Sequence, residues 1–205
     1  ETDRLTRLVN DVLDLSRLES SRAYVFGSVD IGQVIEQTVR TYQLNAKDKQ
    51  IQLTHDLAHS LPAIFGHYDL LLQVLTNLVG NALKFSESGS AVMIRAYCSP
   101  HSEDPLSNTV RLEVCDTGIG IDAEDQAAIF ERFYRVENRV HTLEGTGLGL
   151  SIVKNIMQKH QSQMHLISEV GIGTTFWFEL PIYLEPLSQN SLETVDAATL
   201  ASVRN

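Results

Sequence analysis

Asn77, Asn81 and Lys84 recur at intervals of four and three within an otherwise apolar stretch. That spacing sets two amide carbonyls and an ammonium group on one side of a helix. At 100° per residue, Gln73, Asn77, Asn81 and Lys84 fall within an arc of about 80°. Leu71, Val74, Leu75, Leu78, Val79 and Ala82 fill the other side. Asn is a poor mid-helix residue, and solvent faces usually carry Glu, Lys or Gln. A hard cation such as Mg²⁺ takes oxygen ligands and keeps some of its water, and a lysine offers phosphate a point charge. The stripe would therefore suit a metal and a phosphate, with an ordinary solvated face as the alternative for this helix taken alone.

Three further segments carry chemistry. Asp116-Thr117-Gly118-Ile119-Gly120 stands at the end of a strand-like run. Its glycines permit close backbone approach or positive φ, and an ionised Asp can accept from an exocyclic amine; a plain turn is the competing reading. The same Asp-Thr-Gly triplet occurs in aspartic proteases, but those are almost wholly β, whereas this chain has several helices. Gly145-Thr146-Gly147-Leu148-Gly149-Leu150 opens a helix, and amides at a helix N-terminus behind glycines suit phosphate. It lacks the third glycine of a dinucleotide fingerprint and the Gly-Lys-Ser/Thr of a P-loop, so alone it reads as readily as a hinge. In the segment Ile129 to Arg135 the aromatic residues suit a core. Arg132 and Arg135, with Arg139, place three guanidinium groups near the glycine-rich run, either as a solvated face or as phosphate contacts.

The elements that must position these groups follow from periodicity. Residues 2–20 read as a helix with Leu5, Leu8, Val12 and Leu15 at a and d spacing and Val9 and Leu13 widening the stripe. Such a stripe needs a partner: the domain downstream, or, the better reading, a helical bundle whose other members lie upstream or in a second subunit. A short strand is expected at 25–29, and a helix from a cap at Asp30 to about Lys47. Strands are expected at 51–57, 91–98, 110–116, 163–169 and 174–181, and helices at 68–85, 123–133 and 148–160. The polar loop between 98 and 110 contains Pro100 and Pro105. If 91–98 and 110–116 pair as a hairpin, Cys98 faces about Val110 and Cys115 about Met93, which keeps the sulfurs far apart, and buried, reduced thiols are expected. Interleaved helices and strands predict an α/β fold, a two-layer sandwich of a mixed sheet with helices on one face, preceded by a long amphipathic helix.

The chain of 205 residues is 43% hydrophobic and 20% charged, with a formal net charge of −10. This acidity argues against nucleic acid as a partner, and a bound polyphosphate would need local basic groups and a cation. No apolar run reaches the roughly 20 residues of a membrane span, so no membrane contact by this part is expected. The start at Glu1 reads as the beginning of a fragment.

The order and spacing of the four segments are more specific than any one of them, and together they resemble the N, G1, F and G2 boxes of the histidine kinase catalytic domain, which shares its ATP-binding fold with gyrase-type ATPases. The matching stretches are Asn77 to Ser86, Asp116 to Gly120, Phe130 to Arg135 and Gly145 to Leu150, with Gly171-Ile172-Gly173-Thr174-Thr175-Phe176 as a closing hairpin. Residues 3–20 look like the second helix of the family's dimerisation and phosphotransfer bundle. The resemblance implies a bundle helix over 1–24, an ATP-binding domain over 25–182 and a polar tail over 183–205. It implies a cytoplasmic kinase fragment that transfers the γ-phosphoryl group of Mg·ATP to a histidine on a bundle helix not in this chain, for relay to a response regulator, with a homodimeric parent. The alternative is a nucleotide-sensing module without transfer. It also implies roles: Asn81 on Mg²⁺ with Asn77 in support; Lys84 and Arg135 on phosphate; Asp116 on the adenine amine; Phe85, Gly118, Gly120, Ile121, Gly145, Thr146, Gly147, Leu148, Gly149 and Thr175 around the nucleotide; and 136–147 as a lid. The sequence departs from the family pattern at Phe85 (often Tyr), His67 (often Asp) and Gln161-Ser162 (often Gly-Gly). Asn77 stands where hydrolases of the gyrase type carry a glutamate base, which fits transfer to an imidazole better than activation of water.

Overall fold

The computed structural model describes residues 2–20, 23–99, 108–136 and 145–185. The elements run α1 (Thr2–Glu19), β1 (Gly27–Val29), α2 (Ile31–Asp48), β2 (Gln52–Leu57), β3 (Ile64–Gly66), α3 (Tyr68–Phe85), β4 (Ala91–Ser99), β5 (Thr109–Asp116), α4 (Gly149–Lys159), β6 (His165–Glu169) and β7 (Gly173–Pro181). A 3-10 turn covers Ala128–Phe130. The main sheet has the order β2-β4-β5-β7-β6. Only the β2–β4 pairing is parallel. A separate two-stranded ribbon pairs β1 with β3.

Alternation along the strands sends Val92, Ile94 and Ala96 of β4, Val110, Leu112 and Val114 of β5, and Phe176, Phe178 and Leu180 of β7 to one face, all buried. The helices α2, α3 and α4 pack over that face, which is the expected mixed two-layer arrangement. α3 carries most of the contact: Leu71, Val74, Leu75, Leu78 and Val79 are at most 1% exposed. Full burial of each such side chain is worth about 1.5–3 kcal/mol, so the amide stripe on its opposite side is held by the core. The other sheet face is polar and aromatic. The Arg111 guanidinium lies 3.6 Å from the Trp177 ring, His165 stacks on the same ring at 3.9 Å, and Tyr97 donates to Glu113.

Local chemistry sets the helix ends. Asp30 accepts from the amides of Gly32 and Gln33 and starts α2. α2 and α4 both end in the double hydrogen-bond pattern of a left-handed stop: Ile51 N–H to Ala46 and Gln50 N–H to Lys47 in one, Ser162 N–H to Met157 and Gln161 N–H to Gln158 in the other. The left-handed residue is a glutamine in each case, with φ 58° at Gln50 and 54° at Gln161. α3 begins at His67, whose side chain makes no capping bond; its ring instead meets the rings of Tyr24 and Phe26 edge-on.

The expected helix over 123–133 does not form as an α-helix; the segment is a series of turns around the 3-10 turn. Side chains there serve other partners. Gln126 Nε2 donates to the carbonyls of Ile121 and Ser168, and Tyr134 Oη donates to Asp125. Ile129 alone of its apolar residues is deeply buried. The hairpin register is as expected from the sequence, with Cys98 opposite Val110 and Cys115 opposite Met93, but Cys98 is exposed rather than buried and Cys115 only partly buried. The apolar stripe of α1 is divided. Leu15 and Leu18 are buried against the domain, while Leu5, Val9, Val12 and Leu13 are 62, 50, 44 and 47% exposed. Among the described residues no helix is long and apolar enough to cross a membrane.

Candidate functional site

The four segments converge on one cavity of about 500 Å³ between α3, the ends of β5 and β7, and the N-terminus of α4. Its wall includes Asn77, Asn81, Lys84 and Phe85 from α3, Asp116, Gly120 and Ile121 after β5, Arg135, and Gly145, Thr146, Gly147 and Gly149 before and at the start of α4.

Each segment is fastened to the next. Ile119 N–H donates to the carbonyl of Phe85, so the turn after β5 is tied to the end of α3. Gly118 is needed there, since a Cβ at that position would lie 2.5 Å from the Phe85 carbonyl oxygen. Phe133 N–H donates to Gly147, joining the arginine-rich segment to the glycine-rich one. Gly147 has φ +74°, and a Cβ on it would stand 2.9 Å from the Phe133 backbone, so both conformation and space exclude a side chain. A Cβ on Gly145 would stand 2.6 Å from the Lys84 ammonium, and one on Gly149 3.0 Å from Asn77 Oδ1, so both groups lie against the glycine-rich segment. Gly171 N–H donates to Ile119, which ties in the closing hairpin.

The polar groups differ in freedom. Asn77 Nδ2 donates to the Gln73 carbonyl, which fixes the amide. Among the described residues no hydrogen bond engages the Asn81 amide, which lines the cavity one turn further on. No group of three or more His, Cys, Asp or Glu that could cage a metal occurs among them. This donor set suits a hard cation that arrives with phosphate oxygens and takes one or two protein oxygens, the usual mode for Mg²⁺. Asp116 accepts from Gly118 N–H at 2.9 Å. Burial pushes its carboxyl above the ordinary range, opposed by the amides of Gly118 and Thr174. One carboxylate oxygen at the end of a partly desolvated cavity is well placed to accept from an amine.

Three residues expected around the nucleotide lie elsewhere. Thr175 sits on the opposite sheet face, where its hydroxyl bonds the Cys115 thiol; Thr174 lines the cavity instead. The apolar alternation Phe176, Phe178, Leu180 puts residue 174 on the inner face, a signal already present in the sequence. Leu148 is wholly buried in the core, and Gly118 supports the site through Asp116 and Phe85 without lining it. The expected lid over 136–147 lies, apart from Val136 and Gly145 to Gly147, outside the described residues, as does Arg139. The sequence reading missed Tyr42 and Asn45 of α2, Lys49 just after it, and Asp11 of α1, all on the wall. Gly80 hinted at Tyr42. A Cβ at Gly80 would lie 2.9 Å from the Tyr42 hydroxyl, which donates to the Thr76 carbonyl.

Residues 66–184 match the family model described as histidine kinase-, DNA gyrase B- and HSP90-like ATPase. The chain is 66% identical over 186 residues to drug sensory protein A of Synechocystis sp., covering 89% of this chain and 28% of that protein. It is 58% identical over 188 residues to an uncharacterised sensor-like histidine kinase, ycf26, of Pyropia yezoensis, covering 89% of this chain and 29% of that one. Among solved structures it resembles full-length ShkA in complex with AMPPNP, with a TM-score of 0.75, 34% identity and coverage of 88% of this chain and 36% of that. It also resembles the mycobacterial sensor histidine kinase MprB, with a TM-score of 0.64, 27% identity and coverage of 78 and 99%. The chain thus spans under a third of the length of these curated relatives. An α/β sandwich whose amide stripe, Asp-Thr-Gly turn and glycine-rich helix start share one cavity, read with these likenesses, places the chain in the histidine kinase branch of the histidine kinase-, gyrase B- and HSP90-like ATPase family, as the catalytic domain of a sensor histidine kinase.

Proposed function

We propose that this domain binds Mg·ATP and transfers its γ-phosphoryl group to a histidine on a bundle helix that is not in this chain. The observation that carries the reading is the convergence of Asn81, Lys84, Asp116 and the Gly145–Gly149 segment on a single cavity. Asp116 accepts from the adenine amine and Ile121 packs beside the base. Lys84, Arg135 and the amides of Gly145 to Gly149 hold phosphate. The Asn81 oxygen would hold Mg²⁺, with Asn77 in support, and the cation would neutralise phosphate charge in an acidic protein. Asn77 supplies no base for water, whereas an imidazole nucleophile needs none. The protein's contribution is position and charge, which is most of what phosphoryl transfer requires.

On the same reading α1 is the second helix of the dimerisation bundle. Its exposed Leu5, Val9, Val12 and Leu13 meet the histidine-bearing helix in a homodimeric, cytoplasmic kinase, and the phosphate passes on to a response regulator. Titration calorimetry checks the first step. The chain is expected to bind ATP in the presence of Mg²⁺, and Asn81→Ala to lose most of the gain that Mg²⁺ confers. Undiminished Mg·ATP affinity in that variant would refute the metal assignment. Labelling of an added histidine-bearing bundle from γ-labelled ATP checks the second step, and binding without any transfer would favour a nucleotide-sensing module.

A further inference from the structure

The divided stripe of α1 leaves a second face that is not part of the exposed apolar one. Asp11, Asp14, Leu15 and Leu18 fall on one side of the helix at spacings of three, one and three, opposite Leu5, Val9, Val12 and Leu13. Leu15 and Leu18 are buried against the catalytic domain. Asp14 accepts from Gln73 Nε2 of α3 at 2.7 Å. Asp11 accepts a hydrogen bond from the Thr146 hydroxyl, whose oxygen in turn accepts from Leu148 N–H. Asp11 also lines the cavity itself. Thus a carboxylate from α1 stands at the glycine-rich segment that, on the nucleotide reading above, receives phosphate.

We propose that Asp11 makes the seating of α1 on the catalytic domain sensitive to the terminal phosphate of the nucleotide. The carboxylate takes the place of an anion at Thr146, beside the amides that open α4. A γ-phosphate reaching the same segment competes for those donors and repels the carboxylate, whereas a nucleoside diphosphate leaves Asp11 in place. The two carboxylates are part of that seat: beside the buried Leu15 and Leu18, Asp11 and Asp14 each accept one side-chain hydrogen bond from the catalytic domain. ATP therefore favours a helix free to move with its bundle, and ADP or an empty site favours the docked helix. By linkage, docking lowers affinity for ATP relative to ADP.

This inference rests on nucleotide binding at the cavity, and the test separates the two. Calorimetry on the full chain would compare Mg·ATP with Mg·ADP for the unmodified protein, Asp11→Asn and Asp11→Ala. Asp11→Asn keeps an oxygen for Thr146 and removes the charge, at a partly exposed helix position. Both variants are expected to raise ATP affinity about fivefold while changing ADP affinity by less than about twofold. Hydrogen exchange is expected to show faster exchange over residues 11–18 with a non-hydrolysable ATP analogue than with ADP in the unmodified chain, and no such difference in Asp11→Ala. Binding of both nucleotides with an unchanged ATP-to-ADP ratio in both variants would overturn this proposal alone, as would equal exchange of α1 with the two ligands. Failure of the unmodified chain to bind either nucleotide would overturn the nucleotide reading and this one with it.

Discussion

Two single residues tie the site and the core to pH. Asp116 is held above the ordinary carboxyl range by burial. Its ionised form accepts from an amine and its protonated form does so poorly, so nucleotide affinity should rise with pH through that raised titration and then level off. Asp116→Asn should lose roughly 10- to 100-fold in affinity, the value of about 1.5–3 kcal/mol for a charge-assisted hydrogen bond. It should also lose the pH slope. Calorimetry on both proteins tests this, because the phosphates of the ligand titrate identically in each. Equal affinity of the unmodified chain for ATP and GTP would count against the assignment. His160 is the second case. Burial lowers its pKa from 6.5, its Nδ1 bonds the Ile156 carbonyl, and its Nε2 accepts from His67 N–H, so the ring is neutral in the fold. Unfolded chains then take up the proton first, and stability should fall as pH drops below about 6.5. The slope is at most about 1.4 kcal/mol per pH unit. Urea unfolding at a series of pH values should show this in the parent and a flatter profile in His160→Gln.

At the scale of elements, the ends of α2 and α4 are where sequence and backbone disagree. Gln50 and Gln161 both occupy left-handed conformations that suit glycine. A non-glycine residue there costs about 1–2 kcal/mol, and part of a glycine's advantage is returned as unfolded-chain entropy. Gln50→Gly and Gln161→Gly should therefore each stabilise by about 0.5–1 kcal/mol, read as a shift in the urea midpoint without a change in slope. The departure at Gln161-Ser162 is thus a matter of helix termination away from the cavity. The departure at His67 is of the same kind. An uncapped start to α3 is compensated by edge-on contacts with Tyr24 and Phe26, which pack the segment after α1 against the ribbon of β1 and β3.

At the scale of the whole molecule, the proposed nucleotide cavity has no histidine acceptor on its wall among the described residues. None of the five histidines among the described residues lines the cavity wall. His160 is buried and His165 is stacked on Trp177, while His101 and His141 lie outside the described residues. Transfer needs a nucleophile about 3–3.5 Å from phosphorus and in line with the leaving oxygen. The isolated chain should therefore bind ATP without labelling itself at a dedicated site. Incubation with γ-labelled ATP, followed by acid and alkali treatment, would reveal any phosphohistidine. Rapid stoichiometric acid-labile label would mean that the acceptor is present in the chain.

Much of this protein was readable from local pattern. The span of α3, the cap at Asp30, the order of the four segments and the β4–β5 register all follow from periodicity and turn chemistry, which act over a few residues at a time. The tertiary structure alone decided the parallel pairing of β2 with β4 and the three-residue strand β3, because both depend on partners distant in the chain. It also replaced a helix over 123–133 with turns, since Gln126 and Tyr134 found better partners in Ser168, Ile121 and Asp125. The exchange of Thr175 for Thr174 was legible from strand alternation. The contributions of Tyr42 and Asp11 were not, because a side chain one helix away becomes part of a site only when packing brings its helix there. For α1, composition established an amphipathic helix in need of partners. Only the fold could show that its Leu15 and Leu18 side belongs to the catalytic domain and that its other apolar side stays uncovered, since one stripe in sequence can serve two surfaces in space.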